Sequence, residues 1–360
     1  MRTLYVAAGG GGDAVGALLA RRALGDTDER PALVSTCAWE RLRIDPVPGP
    51  RARADFTGLS LVNGEPFEVT PSSDTVPPGR SVLPRLVKTS GARIFLHDLD
   101  GGAIGLRDQL RRLAAAADVG RLVVIDVGGD IVARGLEPGL RSPLADSLTL
   151  AAALGTGIPT TVVVLGPGAD AELPEGDVLG LLQDAGAAMV GHVTPDDVRT
   201  LEPVLSWHPT EASALVAAGA GGMRGFVAMR RGRDPVPVTD HTPQTWVVAY
   251  PAFALFPLAQ MLQATTSLSE AEEVMRAASV DELDFERKVA AETPTQRPRK
   301  PLADVIADMT AVGATHITRR RLSEILTRRG SDELAELFGT RTSGLWSKAD
   351  LLRIAKSKRS

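Results

Sequence analysis

Four stretches of the chain place glycines and acids directly after a short apolar run. Gly9-Gly10-Gly11-Gly12-Asp13 follows Thr3–Ala8, and His97-Asp98-Leu99-Asp100-Gly101-Gly102 follows Ala92–Leu96. Asp126-Val127-Gly128-Gly129-Asp130 follows Arg121–Ile125, and Gly166-Pro167-Gly168-Ala169-Asp170-Ala171-Glu172 follows Thr160–Leu165. Glycine lets a backbone turn at positive φ and approach a ligand closely. The helix start after Gly12 offers unpaired N–H groups and a positive dipole end. Carboxylates gathered beside such glycines repel a bare phosphate. They suit a divalent metal such as Mg bridging to phosphate, ribose hydroxyls, or a cationic amine. Crowded carboxylates also push one another's pKa upward, which makes an acid or base available near neutral pH. A lone Asp after a strand is more often only a helix cap or turn residue. The recurrence at four strand ends is what favours a site. Asp13, Asp100, Asp126 and Asp130 are the candidate acids, with Gly9, Gly10, Gly11, Gly12, Gly128 and Gly129 as backbone contacts.

A second cluster, Trp207-His208-Pro209-Thr210-Glu211-Ala212-Ser213, leads into an alanine-rich stretch. His208 and Glu211 are candidates for acid–base work or substrate contact, and Thr210 for a helix cap or ligand contact. Gly9, Gly11 and Ala14 meet only the relaxed form of the dinucleotide fingerprint. The acid expected about 20 residues on is missing, and no phosphate-loop lysine–serine pair is present. Arg224 and the run Arg230-Arg231-Gly232-Arg233 suit an anion, but exposed arginines after a strand are more often a solvated face. Cys37 reads as a small core residue. The histidines lack zinc-ligand spacing.

These residues need a scaffold. The apolar runs, with Ala32–Thr36, read as buried parallel strands. Helical patterns lie between them at Asp13–Leu24, Leu106–Ala117 and Pro143–Leu154, the last with Ser142 as cap. Strand alternating with helix implies an α/β fold, a largely parallel sheet covered by helices. Ligands then bind at the carboxyl ends of the strands, so the four loops are expected to meet on one edge. Residues 44–84 break the rhythm and read as an insertion containing a hairpin at Asp55–Val69. Later, 174–186, 195–203 and Ser269–Ser279 (capped by Ser269) read as helices, and Gly225–Met229 and Thr245–Ala249 as strands. Residues 291–301 read as a linker between an α/β domain, 1–290, and a helical appendage, 302–360. The appendage includes helices at Leu302–Val312, Arg319–Arg329, Asp332–Phe338 and Ser347–Ala355.

Composition removes several classes. With 44% apolar and 23% charged residues the chain reads as globular. A net charge of −4 argues against nucleic acid as the main partner. One cysteine fits a reducing compartment, and the start does not read as a secretory leader. No run reaches the ~18 apolar residues of a membrane span. A cytoplasmic protein with a small-molecule substrate is expected, and homo-oligomerisation stays open.

Residues 4–24, Trp39-Glu40-Arg41 with Asp45-Pro46-Val47-Pro48-Gly49-Pro50, Asp126–Asp130, Glu137-Pro138-Gly139-Leu140 with Ser142-Pro143-Leu144-Ala145-Asp146, and Thr210-Glu211-Ala212-Ser213 carry a resemblance. Together they resemble an archaeal and bacterial domain-of-unknown-function family with an N-terminal GGGGD and a central DxGGD. The resemblance spans residues 1–290 and implies that these segments form one domain. It implies no activity, and the expected function rests on the residues. That function is an enzyme performing transfer or hydrolysis on a sugar-, nucleotide- or amine-containing metabolite. The alternative is a non-catalytic nucleotide-binding regulatory module.

Overall fold

The computed structural model describes residues 1–229, 234–292, 300–326, 334 and 343–357. In chain order the first half runs β1 (Arg2–Ala7), α1 (Gly11–Ala23), β2 (Leu33–Thr36), β3 (Phe56–Thr57), β4 (Ser60–Val62), β5 (Glu65–Val69), β6 (Asp74–Thr75), α2 (Leu83–Ser90), β7 (Arg93–Leu96), α3 (Gly102–Ala116), β8 (Val119–Val127), α4 (Leu144–Gly155) and β9 (Thr160–Leu165). It continues with α5 (Glu175–Asp184), β10 (Ala188–His192), α6 (Pro195–Leu205), α7 (Ala212–Ala220), β11 (Gly225–Ala228), β12 (Val236–Val238), β13 (Gln244–Val248), α8 (Pro257–Leu262), α9 (Leu268–Ala277) and α10 (Glu282–Glu292). The last described elements are α11 (Leu302–Ala311), β14 (His316–Thr318), α12 (Arg319–Leu326), β15 (Leu345–Ser347) and α13 (Lys348–Ser357).

The main sheet has nine strands in the order β10-β13-β9-β8-β1-β2-β7-β5-β4. Its middle five, β9-β8-β1-β2-β7, are all parallel. Period-two alternation sends successive side chains to opposite faces. Leu4 and Val6 of β1 join one core with α3, α4, α8 and α9, while Tyr5 and Ala7 join the other with α1, α2, α6 and α7. Both faces are therefore covered, as parallel sheets require. The chain leaves β1 towards β2 and leaves β8 towards β9, in opposite directions. This makes the β1/β8 boundary the switch point, where such sheets open a crevice at the strand carboxyl ends.

The insertion at 44–84 extends the sheet. β5 pairs antiparallel with β7, and β4 closes the hairpin at that edge. On the opposite edge β13 and β10 add two antiparallel strands. Ser267, not Ser269, caps α9, its side chain accepting from the Glu270 N–H. Pro143 occupies the cap position of α4, and Ser142 is used elsewhere.

The C-terminal segment carries helices and also two strands. β14 pairs in parallel with β11 and antiparallel with β15, giving a second sheet, β12-β11-β14-β15. A separate small core forms there around Trp346, Ile317, Leu322 and Met309. Residues 293–299 of the expected linker, the run Arg230–Arg233, and the stretch Asp332–Phe338 apart from Leu334 lie outside the described residues. No helix among the described residues is long and apolar enough to cross a membrane.

Helix α1 sits very close to β8. A Cβ built on Gly16 would stand 2.1 Å from Val127 Cγ2, a stiff β-branched side chain that is itself buried. Overpacking of this kind costs ~1–3 kcal/mol, against ~1 kcal/mol gained in helix propensity over glycine. Gly16→Ala should therefore lower stability by roughly 1 kcal/mol or more in urea denaturation. A stabilised variant would show that the helix is free to shift away from the strand.

Candidate functional site

A cavity of ≈ 140 Å³ opens at the carboxyl ends of β1 and β8. Gly9, Gly10, Gly12 and Asp13 line it from the start of α1, and Asp126 and Asp130 from the end of β8. Asp146 enters from the first turn of α4, and Asp170 from the loop after β9. Asp126 shares the β8 parity of Leu122 and Val124, the face covered by α4, so α4 can bring Asp146 to it. Gly128 and Gly129 take φ of +131° and +112°, folding the strand end back so that Asp130 approaches Asp126.

The carboxylates form two adjoining groups. Ligand atoms of Asp13, Asp126 and Asp146 lie within 4.8 Å of one another, as do those of Asp130, Asp170 and Glu172. The glycines permit this crowding. A Cβ at Gly9 would stand 2.6 Å from Asp13 Oδ2, and one at Gly128 2.3 Å from the Asp170 carboxyl carbon. The Gly9 N–H donates to Asp13 Oδ2 at 2.9 Å. Glu172 accepts from the backbone N–H groups of Arg141 and Ser142 at 2.8 and 2.9 Å and from the Ser142 hydroxyl. The residue expected to cap α4 instead ties its approach to the acid cluster.

Burial dominates the electrostatics. It raises Asp13 to about 7 against the opposing Gly9 N–H. Burial first, then neighbouring carboxylates, holds Asp126, Asp130 and Asp146 well above the usual range. Burial likewise raises Glu40 to about 7 and Glu282 to about 8. Asp126 Oδ2 and Asp146 Oδ1 are buried with no hydrogen-bond partner among the described residues. Orphaned buried oxygens of this kind cost stability until a proton or a cation meets them.

Another part of the lining is richer in donors. His208, Pro209, Thr210, Glu211, Ala212 and Arg320 line it. Thr210 does not cap α7; its N–H donates to His208 Nδ1 at 3.1 Å. Burial lowers His208 to about 3, so its ring is neutral. Glu211 sits at the start of α7, fully engaged by residues far along the chain. Its carboxylate accepts from the Thr318 hydroxyl and pairs with Arg320. The mouth is fastened by α10. Glu286 accepts from Trp39 Nε1 and the Gly49 N–H, and Glu282 from the Leu144 N–H.

Three of the four expected loops thus converge. Asp100 does not line the cavity; it feels Asp98 and Asp55 instead. Gly11 packs against Val82 and Glu40, Gly128 against Asp170 and Gly129 against Val178, so these three shape the site without lining the cavity. Asp146, Glu282 and Arg320 belong to the site although the sequence reading named none of them as a site residue; Asp170 and Glu172 lay in an expected loop but not among its candidate acids. The available signal for Asp146 was an acid within a helix whose residues Leu144–Ala153 are all buried.

The family model described as protein of unknown function, DUF1152, matches residues 4–290. The chain belongs to this family. No curated protein and no solved structure matches it. The DUF1152 span contains every member of both carboxylate groups and excludes Arg320.

Replacing Glu211 by Ala would leave Arg320, only 14% exposed, without its buried partner and with the half-buried Glu324 at 3.8 Å as the remaining carboxylate. Breaking such a pair typically costs ~3–5 kcal/mol. Glu211→Ala should lose about 3 kcal/mol in chemical denaturation. Wild-type stability in this variant would mean that Arg320 reaches solvent without cost.

Proposed function

We propose that the chain is a divalent-cation-dependent enzyme that hydrolyses, or transfers a group on, a small sugar-, nucleotide- or amine-containing metabolite. The observation that carries this reading is the pair of orphaned oxygens, Asp126 Oδ2 and Asp146 Oδ1, inside a cluster of buried acids. Two charges at 4.8 Å repel by roughly 3 kcal/mol at an effective dielectric near 20. A hard cation that takes oxygen ligands removes that repulsion and fills the orphaned sites together. Asp13, Asp126 and Asp146 are the first ligand set, and Asp130, Asp170 and Glu172 offer a second position.

A cation held there would polarise a substrate oxygen or lower the pKa of a bound water. Asp130, close enough to hydrogen-bond Asp126, would be the residue to hold a proton beside it. His208 is better suited to contacting substrate than to accepting a proton, because its Nδ1 is already occupied. Glu211 serves as a positioning residue for Arg320 rather than as a free acid or base.

The test is calorimetric titration of the full chain with MnCl2 and MgCl2, together with thermal melting. A ligand that binds only the folded state stabilises it by mass action, so the cation should raise Tm. Asp146→Asn should weaken binding at least roughly tenfold, about 1.4 kcal/mol. Its cation-free Tm should not fall, because burial and the neighbouring acids already favour the neutral form of Asp146, which Asn mimics. The reading fails if millimolar cation leaves Tm unchanged, or if Asp146→Asn binds as the wild type does.

A further inference from the structure

Hydrogen-bond donors reach the cavity from three separate parts of the chain. The Thr210 N–H donates to His208 Nδ1, so the ring proton sits on Nε2. That N–H is buried in a residue 2% exposed and has no partner among the described residues. Beside Thr210, helix α1 begins at Gly10 without a side-chain cap. The first N–H groups of a helix have no intrahelical partner, and here Gly10 and Gly12 both line the cavity. Arg320 supplies the third donor, its guanidinium oriented by the Glu211 carboxylate. Helix α7 also starts at this cavity, adding a second positive dipole end.

We propose that these groups form an oxyanion subsite for the phosphoryl group of the substrate, with Arg320, His208 and the Gly10–Gly12 turn as its donors. This rests on the cation reading above and names the substrate class for the same site. A phosphoryl group has enough oxygens to give one to a cation on the acid wall and others to the donor wall. A carboxylate that gives one of its two oxygens to the cation keeps only one for the three donors, whereas a phosphoryl group keeps at least two. Glycine at 12 keeps the turn open: an added Cβ would stand 3.5 Å from Thr210 Oγ1, an ordinary contact on the cavity wall. The acids also dictate an order. They repel a phosphoryl group until a cation neutralises them, so its binding must depend on the cation.

The experiment is titration of the full chain with inorganic phosphate, with and without saturating Mn2+, read by calorimetry and by Mn2+-induced 31P relaxation. Phosphate should bind the Mn2+-loaded protein at least tenfold more tightly than the metal-free protein, with strong relaxation reporting contact with the ion. Arg320→Met should weaken phosphate at least tenfold while Mn2+ affinity stays within about twofold. That variant leaves Glu211 buried and unpaired, so Gly12→Ala provides a second test that keeps the ion pair. It should fold normally, bind Mn2+ normally and lose phosphate to a similar degree. If Mn2+ binds and phosphate does not, or if both variants bind phosphate as the wild type does, the subsite is overturned and the cation reading survives. If Mn2+ does not bind, the cation reading fails. Phosphate binding that still depends on Arg320 and Gly12 would then preserve the donor wall and overturn its dependence on the cation.

Discussion

Six carboxylates gathered at the carboxyl ends of the strands, five of them buried, set the terms for the rest of this structure. Like charges at such spacing oppose folding unless something offsets them. The fold supplies part of the offset. Helices α1 and α4 both begin at the cavity, and their positive ends favour anions there. Backbone donors from Gly9, Arg141 and Ser142 take some of the oxygens. The remainder is carried by raised pKa values and by two oxygens with no partner. Stability has been given up at a place where strain is characteristic of function.

The scaffold explains why the acids meet there. In a doubly wound sheet the crevice lies where successive connections diverge. Asp13 follows β1 and Asp126 ends β8, the two strands flanking that point. Asp170 and Glu172 follow β9, one strand further. The β7 loop carries the same glycine–acid pattern but lies beyond β2, two strands from β1. At ~4.8 Å per strand that is roughly 10 Å of displacement, which leaves Asp100 with Asp98 and Asp55.

The parallel core was legible in the sequence because buried parallel strands are continuous β-branched runs bounded by turn residues. β12, β14 and β15 were not: at three residues each they carry no periodicity, and tertiary pairing defines them. The same distinction runs through the site. Asp13, Asp126 and Asp130 sit beside glycines at strand ends, a local pattern. Asp146 follows no strand and shows itself only through the burial of the helix around it. Arg320 has no local signature at all, since its partner lies 109 residues earlier. Serine at 142 looked like a cap because that is its commonest local use; the nearby Glu172 claimed its hydroxyl instead.

Both acid groups fall within the family span, whereas the cavity's Arg320 comes from α12, outside it. The family match by itself therefore does not extend to this arginine. The cavity of this chain is thus composite: its carboxylates and its Gly10, Gly12 and His208 lining come from the family span, and Arg320 is supplied from a segment beyond it that is tied to β11 through β14.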